Sequence, residues 1–579
     1  LEHADSPAAG LPLGRVLARL FIEFADLIEI EGSDPRKASA YRRAALALRN
    51  SAEPVETLAA EGRLTSIPGI GPVLAAKIGE YARSGRIEAL EALRAQVPAG
   101  VAGMLAIRGV GPKFVASVWR GLGITSVEAL RAAAADGRLA ALAGVGAARA
   151  AKVAQAILAA TSALRLLGEV LPLSAAIAAA LTDAPGVHRA SIAGAVRRGC
   201  PLVPTADLVA AGDAAAVGTA LAALALPWSA APEHVAGDGP WPEIRGTIAD
   251  GPDVRVIVCP PAAFGTALLL ATGAEDHLAE LAAWRRARGE ANTPWPAAGD
   301  EEGAYRGLGL PWIPPELREG RGEVQAAAEG RLPARLVELR DLQGDVHCHS
   351  TFSDGTASVE AMAAAARAHG YRYLSLADHS RSLVVAHGMS VEALREQRRR
   401  IDAINAASTD GFVLLQGAEV EILRDGSLDY PDEILEGLDF CVVSLHNPYG
   451  QSETELTARM RHALEHPAAD LLGHPTGRRL GKRDPYPVDV PALVAAAAAC
   501  GKAIEVNGSP ERLDLDGTYN RLLPPAGVIA SLDSDAHSAA GLGGAEYAVI
   551  TARRGGLTAA DVLNTRPLEG LRAWKSGRR

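Results

Sequence analysis

Nine residues able to bind a metal ion fall, one after another, at the ends of apolar runs in the second half of the chain. His347 and His349 lie in DVHCHS, and Asp354 follows in FSDG. His379 lies in LSLADHS, Glu419 in VLLQGAEVE, His446 in FCVVSLH and His474 in ADLLGHP, while Asp535 and His537 close VIASLDSDAH. Alanine-rich helical segments such as SVEAMAAAARAHG and VPALVAAAAACG separate the runs. Strand and helix in alternation predict a parallel sheet or barrel of about seven strands. Ligands at the carboxyl ends of such strands converge on one mouth. Histidine mixed with carboxylate suits Zn²⁺, Mn²⁺ or Fe²⁺ and is the donor set of hydrolytic centres. Nine donors exceed the needs of one ion, so two or three ions and hydrolysis of phosphate esters are expected. His369 falls at a helix end and His387 beside the expected cleft, both outside the series.

The first 160 residues follow helical periodicity, as in LARLFIEFADLIEI. Three turns there repeat one pattern: IPGIGPVLAAKI (67–78), IRGVGPKFVASV (107–118) and LAGVGAARAAKV (142–153). Each places two glycines before a helix: Gly69 and Gly71, Gly109 and Gly111, Gly144 and Gly146. This is a helix-hairpin-helix signal, in which backbone amides approach a DNA phosphate without reading sequence. The net charge of −10 argues against nucleic acid. Residues 101–160 depart from it, with Arg108, Lys113, Arg120, Arg131, Arg138, Arg149 and Lys152 against only Glu128 and Asp136. Lys77, one turn into the first hairpin's second helix, is a candidate Schiff-base nucleophile toward a sugar aldehyde. Its simpler reading is a phosphate-contacting or solvated lysine.

The middle section mixes strand and helix. A two-metal nucleotidyl transferase needs D-x-D on one strand face plus a third carboxylate nearby. Asp207 is present and Asp253 fits the third position, but Thr205 stands where the first aspartate belongs. Thr205 cannot bridge two Mg²⁺ ions, so a palm-like domain without catalysis competes with an active one. The five cysteines form no CxxC pair, which fits a reducing cytoplasm. No apolar stretch is long enough to span a bilayer. The first residues lack a signal-peptide pattern, and the chain begins on Leu1, as a processed end would.

Taken together these motifs resemble the bacterial family X DNA polymerases with a C-terminal polymerase-and-histidinol-phosphatase (PHP) domain. SDPRKASAYRRAALAL and LTSIPGIGPVLAAKI resemble the lyase-type domain, and LAIRGVGPKFVASVWRGLGITSVEAL the DNA-binding fingers. LGLPWIPPELREGRGEVQAA resembles the segment before the PHP domain, which DLQGDVHCHSTFSDG opens. The resemblance implies six segments: a lyase-type domain (1–95), fingers (96–160), a palm-like nucleotidyltransferase domain (161–260), a thumb (261–320), a linker (321–340) and a distorted (β/α)₇ PHP barrel (341–579). It implies a Mn²⁺- or Zn²⁺-dependent 3′–5′ exonuclease with three divalent ions, iron being an alternative, that also cleaves abasic sites. One ion would take His347, His349, Glu419 and Asp535. Glu419 would bridge to a second, held by His446 and His474, and Asp354, His379 and His537 would hold the third. Arg197 and Arg198, with the hairpin glycines and Lys113, are the expected DNA contacts.

The polymerase motifs depart from the family. G-S-x-R-R becomes Gly194-Ala195-Val196-Arg197-Arg198, and T-G-S with its neighbours becomes Ala271-Thr272-Gly273-Ala274 and His277-Leu278. Nucleotide transfer with Mg²⁺ or Mn²⁺ at the palm is therefore expected to be weak or lost. The expected protein is a cytoplasmic, nucleoid-associated monomer that trims gapped, nicked or damaged DNA. Its rivals are an active gap-filling polymerase that takes dNTPs, a phosphatase of small monoesters and a non-catalytic DNA-end scaffold.

Overall fold

A computed structural model describes residues 13–577 apart from 34, 50–52, 54, 108–109, 126–128, 131–132, 135–136, 143–144, 147–148, 154–163, 236–238 and 291. It divides into two compact units, Leu1–Ala163 and Leu164–Arg579.

The first unit is helical. The helices Leu13–Glu31 and Pro35–Arg49 pack through an aromatic cluster in which Phe24 stacks on Tyr41 at 4.3 Å and Phe21 meets Tyr41 edge-on at 5.4 Å. The repeated turns share one backbone bond. Ile70 N–H donates to Ile67 O, Val110 to Ile107 O and Val145 to Leu142 O. Gly71 and Gly111 then cap the helices Pro72–Ser84 and Pro112–Leu122, each with proline in the first turn, where a missing N–H costs nothing.

The second unit holds three sheets among the described residues. The shorter strands β1 (Arg165–Leu166) and β3 (Leu202–Val203) pair with each other. A five-stranded sheet is built from β2 (Val187–Ile192), β4 (Thr205–Gly212), β5 (Trp228–Val235), β6 (Glu243–Ile248) and β7 (Asp253–Cys259), in the order β2-β4-β7-β6-β5. Only β4 and β7 run parallel, with Thr205 opposite Asp253 and Asp207 opposite Arg255. After β2, GAVRRG forms a short helix, Gly194–Arg197.

Seven parallel strands follow: β8 (Gly344–Cys348), β9 (Tyr373–Leu376), β10 (Val413–Glu421), β11 (Phe440–Ser444), β12 (Leu471–Leu472), β13 (Ala503–Asn507) and β14 (Ala530–Asp533). They pair in sequence order. The remaining seam is closed by side chains and loop backbone. Val346 N–H donates to Asp533 Oδ1 at 2.9 Å, Ser534 N–H to Asp345 Oδ2 at 3.0 Å and His349 N–H to Ala536 O at 2.8 Å. The result is a nearly closed seven-stranded parallel barrel, as the alternation predicts. Each of its strands except the first residue of β10 is buried along its whole length, so its strands read as continuous apolar runs.

The five-stranded sheet and the barrel share packing. Leu513 of the barrel is buried in the core beneath β4 and β7, and Gly199 lies against Ile550, where a Cβ would come within 2.1 Å. Arg554 donates to Arg198 O at 2.7 Å and to Glu319 at 2.8 Å, while Glu319 also accepts from Arg198 at 2.9 Å.

Candidate metal centre

The barrel's carboxyl ends bring all nine sequence-selected ligands to one place. They form four overlapping sets: His349, Asp354, His379 and His537; His347, Glu419 and His474; His347, His349 and Asp535; and His379, Glu419 and His446. Glu419 stands between them. Its Oε1 lies 2.8 Å from His474 Nε2 and 3.3 Å from His446 Nε2. Its Oε2 lies 2.8 Å from His379 Nδ1, 3.4 Å from His347 Nε2 and 3.6 Å from His349 Nε2. Asp354 Oδ1 is 3.5 Å from His379 Nε2 and 3.3 Å from His537 Nε2, and Asp535 Oδ1 is 3.2 Å from His349 Nε2. Two donors that share an ion at about 2.1 Å sit roughly 3–3.5 Å apart, which is the range seen here.

Unused donor atoms argue the same way. His347 Nε2, both nitrogens of His349, His379 Nδ1, His446 Nε2, His474 Nδ1 and both oxygens of Glu419 are buried without a hydrogen-bond partner. Proteins rarely leave one such atom unsatisfied. Eight in one cluster fit divalent cations. His474 and Asp535 also hold positive φ, +23° and +53°, a costly conformation for non-glycine residues that collects at functional sites.

A second ring of residues orients the first. Glu505 Oε1 accepts from His347 Nδ1 at 2.7 Å, and its Oε2 accepts the His474 N–H at 2.5 Å. Glu421 takes His446 Nδ1 at 2.6 Å, and the Asp535 carbonyl takes His537 Nδ1 at 2.8 Å. The three ring contacts, on His347, His446 and His537, fix the proton on Nδ1 and leave Nε2 bare toward the centre, while the His474 bond holds its backbone. Asn507 donates to Asp535 Oδ2 at 3.1 Å. Sequence reading missed Glu505, Glu421 and Asn507. The signal existed in AIEVN, where a carboxylate and an amide interrupt an otherwise apolar strand. His369 caps the helix Val359–Ala368, and His387 sits exposed at φ +54°.

The palm-like cleft differs. Asp207 is 8% exposed, its Oδ1 accepts from Arg255 Nε at 2.8 Å, and burial, opposed by Arg255, raises its pKa. Gly194, at φ +61°, lies where a Cβ would meet Asp207 Oδ2 at 2.1 Å. Asp253 accepts from Thr247 Oγ1 at 2.8 Å. The strand register sets Thr205, Asp207, Asp253 and Arg255 on one face. Arg197 is paired twice with Glu301, at 2.7 and 2.6 Å, and Arg198 binds Glu319 and the Thr272 carbonyl. The structure thus gives both arginines carboxylate partners inside the protein.

In the helical unit, a Cβ on Gly69, Gly71, Gly111 or Gly146 would meet nothing within 4 Å among the described residues. Packing does not demand these glycines, although Gly69 (φ +89°) and Gly146 (φ +69°) need their backbone freedom. Lys113 is exposed beside Gly111. Gly109 and Gly144 lie outside the described residues. Half-buried Lys77 lines a pocket of about 640 Å³ with Phe24, Lys37 and Tyr41, its ammonium 5.2 Å from the Phe24 ring centre.

Fold and site together define a chain of helix-hairpin-helix domains joined to a metal-site PHP barrel. Family models agree. A helix-hairpin-helix domain matches residues 15–87, a SAM-like helix-hairpin-helix tandem 101–159, and a PHP domain 345–509. The chain is 32% identical to the DNA polymerase/3′-5′ exonuclease PolX of Bacillus subtilis (strain 168), over 96% of this chain and 98% of that protein. It belongs to the PolX family of bacterial DNA polymerase/exonucleases. The chain is also 30% identical to a probable phosphatase of Thermoanaerobacter sp. (strain X514), over 38% of this chain and 89% of that protein. A probable phosphatase of Syntrophotalea carbinolica is 28% identical over a similar span, 38% of this chain and 90% of that protein. Among the described residues, no helix is long and apolar enough to cross a membrane.

Proposed function

We propose that this chain is a cytoplasmic DNA-repair nuclease whose barrel trims 3′ ends of gapped, nicked or damaged DNA and cleaves abasic sites, with nucleotide transfer at the palm weak or lost. The observation that carries the reading is the contrast between two sites. The barrel keeps a complete set of converging donors with eight buried atoms left for cations. The palm lacks its first aspartate at Thr205, and its remaining central carboxylate, Asp207, is tied to Arg255.

When bound, Mn²⁺, Zn²⁺ or Fe²⁺ ions, three by the family's pattern, would activate a water and offset charge on the phosphodiester. The protein's own residues do the rest. Glu505 and Glu421 hold His347 and His446 in the tautomer that points Nε2 inward. Asn507 holds Asp535. In the helical unit, exposed Gly69, Gly71, Gly146 and Lys113 bind backbone phosphates of the DNA.

The test is a labelled gapped duplex incubated with Mn²⁺, with and without dNTPs, for wild type and His347→Ala. Shortening by the wild type alone, with no extension by either protein, is expected. Robust extension would restore the gap-filling polymerase reading. The likeness of the chain to probable phosphatases supports a second reading, hydrolysis of small monoesters. Rapid turnover of p-nitrophenyl phosphate without shortening of DNA would favour it. The pocket around Lys77 supports Schiff-base chemistry at an abasic 5′ end. Borohydride trapping that survives Lys77→Ala would remove Lys77 from that role.

A further inference from the structure

Beside the centre stands one guanidinium with an unspent donor. Arg512 Nε lies 3.2 Å from Asp535 Oδ2, the oxygen already held by Asn507. Arg512 NH1 is buried and has no hydrogen-bond partner, while the side chain as a whole keeps 16% exposure. Its backbone is fixed at both ends. Arg512 N–H donates to Ser509 O at 2.7 Å, and its carbonyl accepts from Arg478 Nε at 2.8 Å. Asp535, Glu419, Asp514 and Glu505 favour the charge of the guanidinium, while that charge in turn disfavours protonated His474 and Arg483 and favours the ionised form of Tyr486.

The unpartnered nitrogen gives this arrangement a purpose. A buried guanidinium N–H without a hydrogen-bond partner is costly, and an anion arriving at the centre would satisfy it. A guanidinium presents paired donors that match two phosphate oxygens. Holding Asp535 does not require Arg512, because Asn507 already donates to the same oxygen.

We propose that Arg512 is a catalytic residue of the barrel: its free NH1 binds a non-bridging oxygen of the scissile phosphate and holds it against the metal centre. This rests on the phosphodiesterase reading above. It also predicts that the metal-loaded barrel binds inorganic phosphate through Arg512, whatever the natural substrate.

The experiment compares Mn²⁺-loaded full-length wild type, Arg512→Ala and Arg512→Lys. Three quantities are read: bound Mn²⁺ by elemental analysis, inorganic phosphate affinity by calorimetry, and kcat and KM on bis(p-nitrophenyl) phosphate. Arg512→Ala should keep its Mn²⁺ stoichiometry, weaken phosphate binding at least about tenfold and lower kcat/KM roughly 100-fold or more. Added guanidinium should recover part of the loss, and Arg512→Lys should fall between the two. Loss of Mn²⁺ in step with activity in both variants would overturn the proposal, leaving Arg512 as a positioning residue for Asp535. Unchanged phosphate affinity in Arg512→Ala would overturn it as well. If the wild type hydrolyses nothing, the nuclease reading fails by itself, and the calorimetry still decides the role of Arg512.

Discussion

Glu505 shows how much of the site lies beyond its ligands. One carboxylate holds the His347 ring and the His474 backbone together. Glu505→Gln keeps the shape but loses the charge that favours His347 as a donor. Such outer-shell changes typically cost about 10–100-fold in metal affinity, and a Mn²⁺ titration should show a loss of that size. At this scale the sequence was most readable. All nine ligand types stood at strand ends, and the structure brings all nine together. Glu505, Glu421, Asn507 and Arg512 were less readable, because a lone acid, amide or arginine near a strand has many ordinary uses. Only tertiary placement shows that Glu505 faces His347 across the barrel. The same limit applied to Arg197 and Arg198, whose inward ion pairs depend on Glu301 and Glu319, over 100 residues away.

Among the elements, β10 shows how tightly the barrel is drawn. Gly417 lies two residues before Glu419. A Cβ there would come within 2.5 Å of Ser375 Oγ and 3.0 Å of Leu376 O and Phe440 O, on both neighbouring strands. Gly417→Ala should force β9 and β11 apart and destabilise the fold by about 1–3 kcal/mol, measured as a lower urea midpoint. Strand-helix alternation made the barrel legible as a class, because every strand buried on both faces reads as an apolar run. It did not reveal that β13 contributes Glu505 and Asn507 rather than a ligand, nor that carboxylates close the seam between β14 and β8. Nor did it reveal the single helical turn Gly194–Arg197 that follows β2. The glycine at φ +61° that starts this turn is set by close packing on Asp207.

The whole molecule depends on a buried ion network between the five-stranded sheet and the segment leading to the barrel. Glu301 receives hydrogen bonds from Arg197 and from Arg318, which is fully buried. Burial raises the Glu301 pKa, but the two guanidiniums outweigh it and hold the carboxyl at about 2. A depressed carboxylate stabilises the fold above its unfolded value, near 4.5, and that contribution is lost as pH falls toward 2. The loss amounts to about 3 kcal/mol, seen as a steep acid limb in Tm against pH. Glu301→Gln should flatten that limb and lower stability at neutral pH by roughly 3–5 kcal/mol, because Arg318 is left buried without its partner. Metal acts on the same scale. Ions that bind only the folded barrel raise its Tm with concentration, so chelation should lower the transition of the 164–579 unit and leave that of the helical unit in place.

The central claim is that the nine-ligand barrel is the chain's working catalytic site. Glu419 tests it most directly, because its two oxygens face five histidines. The measurement is shortening of a 5′-labelled strand of a gapped duplex in Mn²⁺ by wild type and Glu419→Gln, with bound metal determined on the same samples. The predicted result is that Glu419→Gln loses bound Mn²⁺ and at least about 100-fold of the shortening rate. Shortening at the wild-type rate by a metal-depleted Glu419→Gln protein would contradict the account.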